Sequence, residues 1–345
     1  MFAGVTGVVR SLALGCVLIG CSTPKRLDLD RTTPQGSGAP GVILVAMRDE
    51  LARSMEELKA HGDPPPYFAE YEVVDRLSVS MAAEFGALLS SDDTHTRDLD
   101  VDIRVGDPKL DSSHVLRQRD AFASFSRRFG RSVHLPIEDD APALRAALWL
   151  ATDDRYKDAV ERLVKVHAER AIDAPSDDTS DDFSSDSPGT FVGSPASVDF
   201  DRAAWETRVK ALSAVFRLRP EILEAKVELW VSAETRYVTT SEGASVQSGA
   251  KHARLAITAH GKADDGMDLA LTDTVDASSV DKFPNDATLR LRVQALVDRL
   301  MALRTAPVAE PYVGPAILDG RAAGVFFHET FGHRVEGHRQ KDDEE

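Results

Sequence analysis

Met47, Leu51, Met55 and Leu58 recur at helical spacing over residues 42–60, with Arg48, Asp49, Glu50, Arg53, Glu56 and Glu57 between them. One apolar and one charged side predict an amphipathic helix. Gly62-Asp63-Pro64-Pro65-Pro66 stops it, because prolines remove donors and fix the backbone. Extended segments are expected over Tyr67–Val74 and Leu77–Leu89. Leu99, Val101, Ile103 and Val105 alternate with Asp98, Asp100, Asp102 and Arg104, the period-two pattern of a half-buried strand. A long helix is expected over Pro142–Ala171, with Pro142 suited to its first turn and Leu144, Leu148, Ala151, Val160, Leu163 and Val164 as its apolar positions.

The stretch Ala174–Ser197 interrupts this pattern. Its core, Ser176-Asp177-Asp178-Thr179-Ser180-Asp181-Asp182, is acidic and polar, and such a stretch buries too little apolar surface to order itself. Residues 174–198 therefore read as an acidic linker or loop between an N-terminal α+β region, 41–173, and a second α+β region, 199–311. The second region reads as a helix over Ala203–Leu218 and strands over Lys226–Val231, Thr235–Thr240, His252–His260 and Met267–Thr272. Ser241-Glu242-Gly243, Ser248-Gly249 and Asp264-Asp265-Gly266 supply hairpin turn chemistry between the strands. Leu289, Val293, Leu296, Val297, Leu300 and Leu303 mark a further helix over Asp286–Leu303. A short strand, Tyr312–Leu318, leads to Asp319, a good N-cap for the helix that follows. Runs of strands framed by long helices give an α+β fold with mixed sheets.

At 345 residues and 42% hydrophobic, the chain can build a sizeable core in two domains. Its formal charge of −16 argues against a nucleic-acid partner, which needs a basic face, and against electrostatic docking on anionic lipid. Both cysteines, Cys16 and Cys21, lie near the N-terminus. Arg10, the apolar run Ser11–Gly20 and the small residues before Cys21 read as a signal peptide over residues 1–20. Leu18-Ile19-Gly20-Cys21 is similar to a bacterial lipobox, in which Cys21 is lipidated and becomes the first mature residue. Residues 21–40 would then be a flexible tether. The expected location is the bacterial cell envelope, on the outer membrane, with the membrane reached through the lipid anchor only. No other thiol would remain to form a disulfide.

The chain's clearest chemistry lies at its far end, in Gly324-Val325-Phe326-Phe327-His328-Glu329-Thr330-Phe331-Gly332-His333. Two neutral imidazoles can hold a zinc ion, and a neighbouring carboxylate can take a proton from water beside it. In this reading His328 and His333 are ligands and Glu329 is the general base. On a regular helix, residues five apart lie roughly 140° apart around the axis. Either the pair binds no metal, with His328 in a core and His333 on the surface, or the helix carries a π-bulge that restores a shared face. Gly332 would ease that bulge, and Phe326 and Phe327 would keep the site's surroundings apolar. Glu336 and His338 stand as an extra ligand, an outer partner of the ligands, or a solvated helix end.

Gly314-Pro315-Ala316-Ile317-Leu318-Asp319-Gly320 followed by His328-Glu329-Thr330-Phe331-Gly332-His333-Arg334-Val335-Glu336-Gly337 resembles the motif of the TldD/PmbA metallopeptidases. The segments Asp100–Asp107 and Pro142–Lys157 are similar in character to that family's N-terminal sheet and the helix after it. The resemblance implies a zinc peptidase that admits peptides or unfolded polypeptides into a chamber formed by a homo- or heterodimer with a TldD/PmbA-like subunit. It implies His328 and His333 as ligands of one Zn ion and Glu329 as the catalytic carboxylate. It also implies a third ligand, a cysteine from a mostly β C-terminal domain, so residues 312–345 read as the start of such a domain and the chain as the first part of a longer protein. The other reading of the chain is a non-catalytic surface lipoprotein that binds peptide or pairs with a catalytic subunit.

Overall fold

A computed structural model describes residues 38–114, 116, 132–171, 180–185 and 187–336. The signal peptide, Cys21, most of the tether, the centre of the acidic linker and His338 lie outside the described residues.

Helix starts follow their capping chemistry. The helix Ala141–Arg170 (α2) begins where the Asp140 side chain accepts from the Ala143 N–H, with Pro142 in its first turn. Asp201 caps Arg202–Ser213 (α3) through the Ala204 N–H. Asn285 caps Asp286–Arg304 (α4) through the Thr288 N–H. Each cap satisfies one of the amides a helix leaves unpaired at its start. The first helix, Val42–His61 (α1), begins after Gly41 and buries Ile43, Leu44, Met47, Leu51 and Met55.

The strands form one sheet of eight: Pro66–Glu84 (β1), Ala87–Asp107 (β2), Leu110–Asp111 (β3), Val133–His134 (β4), Thr190–Val192 (β5), Ile222–Thr240 (β6), Ser245–Lys262 (β7) and Asp268–Ala277 (β8). The order runs β3-β2-β1-β6-β7-β5, with β4 on β2 and β8 on β7. Neighbours are antiparallel except β5 and β7. The junction of β1 with β6 joins the strands on either side of the acidic stretch, with Tyr71 opposite Thr239 and Met81 opposite Leu229.

Alternation along these strands sends one side of the sheet to the helices. Near one end Tyr71, Val73, Leu99, Val101, Ile103 and Tyr237 pack against α1 and α2. Near the other, Met81, Ala83, Val227, Leu229, Leu255 and Ile257 pack with Trp205 and Val209 of α3 and with Leu289, Val293 and Leu296 of α4. Between the two clusters lies a seam of polar helix-facing positions, Asp75, His95, Arg97 and Thr235. Buried Arg97 donates to Asp75, Asp139 and the carbonyls of Pro136 and Glu138. His95 pairs with Asp75 at 2.6 Å, and Thr235 lies opposite Asp75. Paired in this way, the charges avoid the large cost of isolated burial.

The helices fall close to the expected spans, while the strands differ in instructive ways. Tyr67–Val74 and part of Leu77–Leu89 are one strand, β1, and Lys226–Val231 and Thr235–Thr240 are one strand, β6. The expected break in β1 falls at Asp75, in the polar seam, and that in β6, over residues 232–234, falls just beside the seam; the backbone pairing continues through both. The expected segment Leu77–Leu89 also runs through a real turn. Phe85 and Gly86 take φ of 44° and 82°, the left-handed pair of a tight hairpin. Ser248-Gly249 is no turn: both lie inside β7. A Cβ on Gly249 would sit 2.5 Å from the Ser194 carbonyl oxygen, so this glycine admits a crossing segment of backbone. Within the acidic stretch, Thr190–Val192 forms β5, and Phe183 packs its ring on Tyr67 and Phe68. The expected strand Tyr312–Leu318 is irregular and exposed. Among the described residues no helix is long and apolar enough to cross a membrane.

Candidate metal centre

The last helix, Gly320–Thr330 (α5), starts where the Asp319 carboxylate accepts from the Ala322 N–H at 3.0 Å. Arg321 ties its first turn to the sheet by donating to Thr274 Oγ1 of β8 at 2.7 Å. The helix ends at Thr330, whose hydroxyl donates back to the Phe326 carbonyl at 2.7 Å, a bond that favours local bending. Phe331 leaves the helical region with φ −125° and ψ −45°, and Gly332–Val335 continues as a 3₁₀ turn.

This break replaces the expected π-bulge. His328 sits on the last turn of α5 and His333 on the 3₁₀ turn, and the change of path brings their rings to 4.5 Å between centroids, inclined at 69°. The irregular backbone is taken up at Phe331 rather than Gly332. A Cβ on Gly332 would meet the His328 ring no closer than 3.4 Å, an ordinary contact.

The Glu329 carboxylate lies between the imidazoles. Its Oε1 is 3.9 Å from His328 Nε2 and its Oε2 is 3.7 Å from His333 Nε2. Ligand atoms of these three residues lie within 4.8 Å of one another, and among the described residues they are the group that could hold a metal ion. On the far side of its ring, His333 Nδ1 lies 2.9 Å from Glu336 Oε1. The donor set suits zinc, two imidazole nitrogens with a carboxylate beside them. A catalytic zinc takes three protein ligands. The described residues supply the two histidines and Glu329, so Glu329 is either a third ligand or the base.

The site is open to solvent. The His328 and Glu329 side chains are 59% and 63% exposed, and that of His333 is 35% exposed. Phe326 and Phe327, expected to surround the site with apolar packing, are 59% and 62% exposed. Phe327 stacks at a tilt on Phe331, 5.1 Å between centroids, and no residue of α5 is buried. Of the residues singled out by sequence, the structure brings together His328, Glu329, His333 and Glu336. The role of Glu336 as a partner of His333 was open in the sequence, since it depends on the 3₁₀ turn that carries His333 and ends at Glu336.

No protein-family model and no curated protein matches the sequence. By structure the chain is similar to a proposed modulator of a DNA gyrase from Thermotoga maritima, at 10% identity and a TM-score of 0.44, over 75% of this chain and 50% of that one. It is similar to TldE from Thermococcus kodakarensis at 12% identity and a TM-score of 0.41, over 75% and 47% of the two chains. A proposed modulator of DNA gyrase from Bacteroides thetaiotaomicron matches at 7% identity and a TM-score of 0.43, over 74% and 49%. The chain spans about half the length of these solved structures.

Proposed function

We propose that the chain carries the metal-binding helix of a TldD-like zinc metallopeptidase that hydrolyses peptides or unfolded polypeptides. The observation that carries this reading is the convergence of His328, Glu329 and His333 on one side of a broken helix. Zinc in this position would act as a Lewis acid and lower the pKa of a water. His328 and His333 would hold it, each with its Nε2 on the side of Glu329. Glu329 has its carboxylate between the two rings, where it can take the water's proton and pass it to the leaving amine. The third protein ligand is proposed to come from outside the described residues. The proposal extends to a homo- or heterodimer with a TldD/PmbA-like subunit and to a lipid anchor at Cys21 that places the protein on the cell envelope.

The test is zinc content together with peptide hydrolysis, on the chain alone and on the chain extended by the adjoining coding sequence. One zinc per chain is expected, and Glu329→Gln should slow hydrolysis roughly 10²–10⁴-fold. An extended protein that binds no zinc, or that cleaves equally well after Glu329→Gln, overturns the reading. The exposure of both ligands favours one alternative, a non-catalytic surface lipoprotein that binds peptide or pairs with a catalytic subunit. That alternative predicts a stable chain that holds no zinc and turns over nothing.

A further inference from the structure

We infer that Glu336 is the positioning residue for His333: it holds one ring nitrogen so that the other faces the metal, and it is not itself a ligand. The inference rests on the metallopeptidase reading and deepens it. His333 Nδ1 and Glu336 Oε1 are 2.9 Å apart, hydrogen-bond distance for a ring N–H donating to a carboxylate. A carboxylate accepts only, so the proton belongs on Nδ1 and the lone pair on Nε2. That Nε2 is the atom 3.7 Å from Glu329 Oε2, on the side where His328 Nε2 also approaches Glu329. The ring therefore reads, in order, carboxylate, imidazole, metal position, an arrangement that fixes tautomer and direction and makes the ligating nitrogen more basic.

The local backbone explains why Glu336 can do this. His333 and Glu336 are three residues apart across a 3₁₀ turn, and at three residues per turn such positions eclipse one another. Had α5 continued as an α-helix, they would have been offset by roughly 60°. The same break that brings His333 to His328 thus also places Glu336 behind it. The two imidazoles are held unequally: among the described residues no side-chain carboxylate pairs with Nδ1 of His328, and the carboxylate near its ring is that of Glu329, 3.9 Å from Nε2. Glu336 is also outside the group whose ligand atoms lie within 4.8 Å of one another. Orientation of one ligand, rather than completion of the coordination shell, is the role its position allows.

Two measurements on the full chain test this. Zinc affinity is read by competition with a chromophoric chelator for the native chain, Glu336→Gln, Glu336→Ala and His333→Ala. The tautomer of His333 is read in the metal-free protein from its ring ¹⁵N shifts. The expected result is that Glu336→Ala weakens zinc roughly 10–100-fold and that Glu336→Gln, whose amide oxygen can still accept from Nδ1–H, weakens it less. The Nδ1–H tautomer of His333 should dominate in the native chain and give way to a mixture in Glu336→Ala. Unchanged affinity and unchanged tautomer in Glu336→Ala overturn the inference and leave the metallopeptidase reading standing. A loss in Glu336→Ala as large as that in His333→Ala also overturns it, since Glu336 would then be a ligand. If neither the native chain nor the chain extended by the adjoining coding sequence binds zinc, the metallopeptidase reading fails, and the tautomer comparison alone decides whether Glu336 orients His333.

Discussion

Helices α4 and α5 are separated by only 15 residues and make opposite use of their apolar side chains. Helix α4 buries Leu289, Val293, Leu296, Val297 and Leu300 against the sheet. Helix α5 is the more apolar of the two by sequence, yet it buries none of its residues and reaches the sheet through Arg321 and Thr274. Apolar periodicity therefore reports a side that wants cover, and the tertiary fold decides whether cover arrives. The difference also separates stability from chemistry. The sheet and its four covering helices hold the fold, and the candidate metal ligands sit on an element that contributes little to it.

The largest test of that division is a pair of truncations. Leu229→Ala, in the core beneath α3 and α4, should cost about 2–5 kcal/mol in urea unfolding. Phe327→Ala, equally apolar but 62% exposed, should stay within about 0.5 kcal/mol. Equal losses would mean that α5 is packed in solution. Two glycines make the next contrast. Gly249→Ala forces a Cβ to 2.5 Å from the Ser194 carbonyl oxygen and should cost about 1–3 kcal/mol. Gly332→Ala, with 3.4 Å to the nearest side-chain atom, should change thermal stability by no more than about 0.5 kcal/mol.

Alkaline pH probes the core cluster under α1 and α2. Burial, and after it the charges of Asp75 and Asp139, push the Tyr237 phenol up to about 12. Burial also raises Tyr71. A phenol raised above its unfolded value of ~10 stabilises the fold fully below that value. The contribution is lost as pH rises from about 10 through about 12 for Tyr237. Unfolding midpoints should accordingly fall over that window, and Tyr237→Phe should soften the fall; an unchanged slope would show that Tyr237 is solvated in the native state. The smallest and most local effect is kinetic. Amides of Leu289–Leu300 should exchange only on global opening, and those of residues 325–330 by local opening at much lower free energy. Added zinc should slow the second set alone.

How much of this was legible in the sequence depends on what each signal encodes. Caps at Asp140, Asp201 and Asp319 and the leucine rows of α1, α2 and α4 are local chemistry, and the helices follow from them. The long strands were cut at Asp75 and just before Thr235, beside the place where the core side of the sheet turns polar, a property of how two clusters of helices divide one sheet. The Phe85-Gly86 turn lacks the usual asparagine or aspartate, so its hairpin was invisible. Gly249 looked like a turn because nothing local reveals that residues 194–196 cross it. At the metal helix the residues were readable and the path between them was not. His328, Glu329 and His333 announce their chemistry by type, whereas the break at Phe331 depends on a hydroxyl bond from Thr330 and on the 3₁₀ turn beyond it.

The pairing of β1 with β6 has a consequence for how the molecule is made. Glu70 meets Thr240 and Glu84 meets Lys226, so the central ladder of the sheet joins residues roughly 140–170 positions apart. Contacts of that range must overcome a large loop-closure entropy before they contribute, which slows folding. During synthesis the β1–β2 hairpin is complete long before β6 exists. Until it arrives, the whole inner edge of β1 stands open to pairing with other chains. Assembly of this protein should thus be limited by the arrival of one strand, and conditions that delay β6 should yield aggregates seeded through β1.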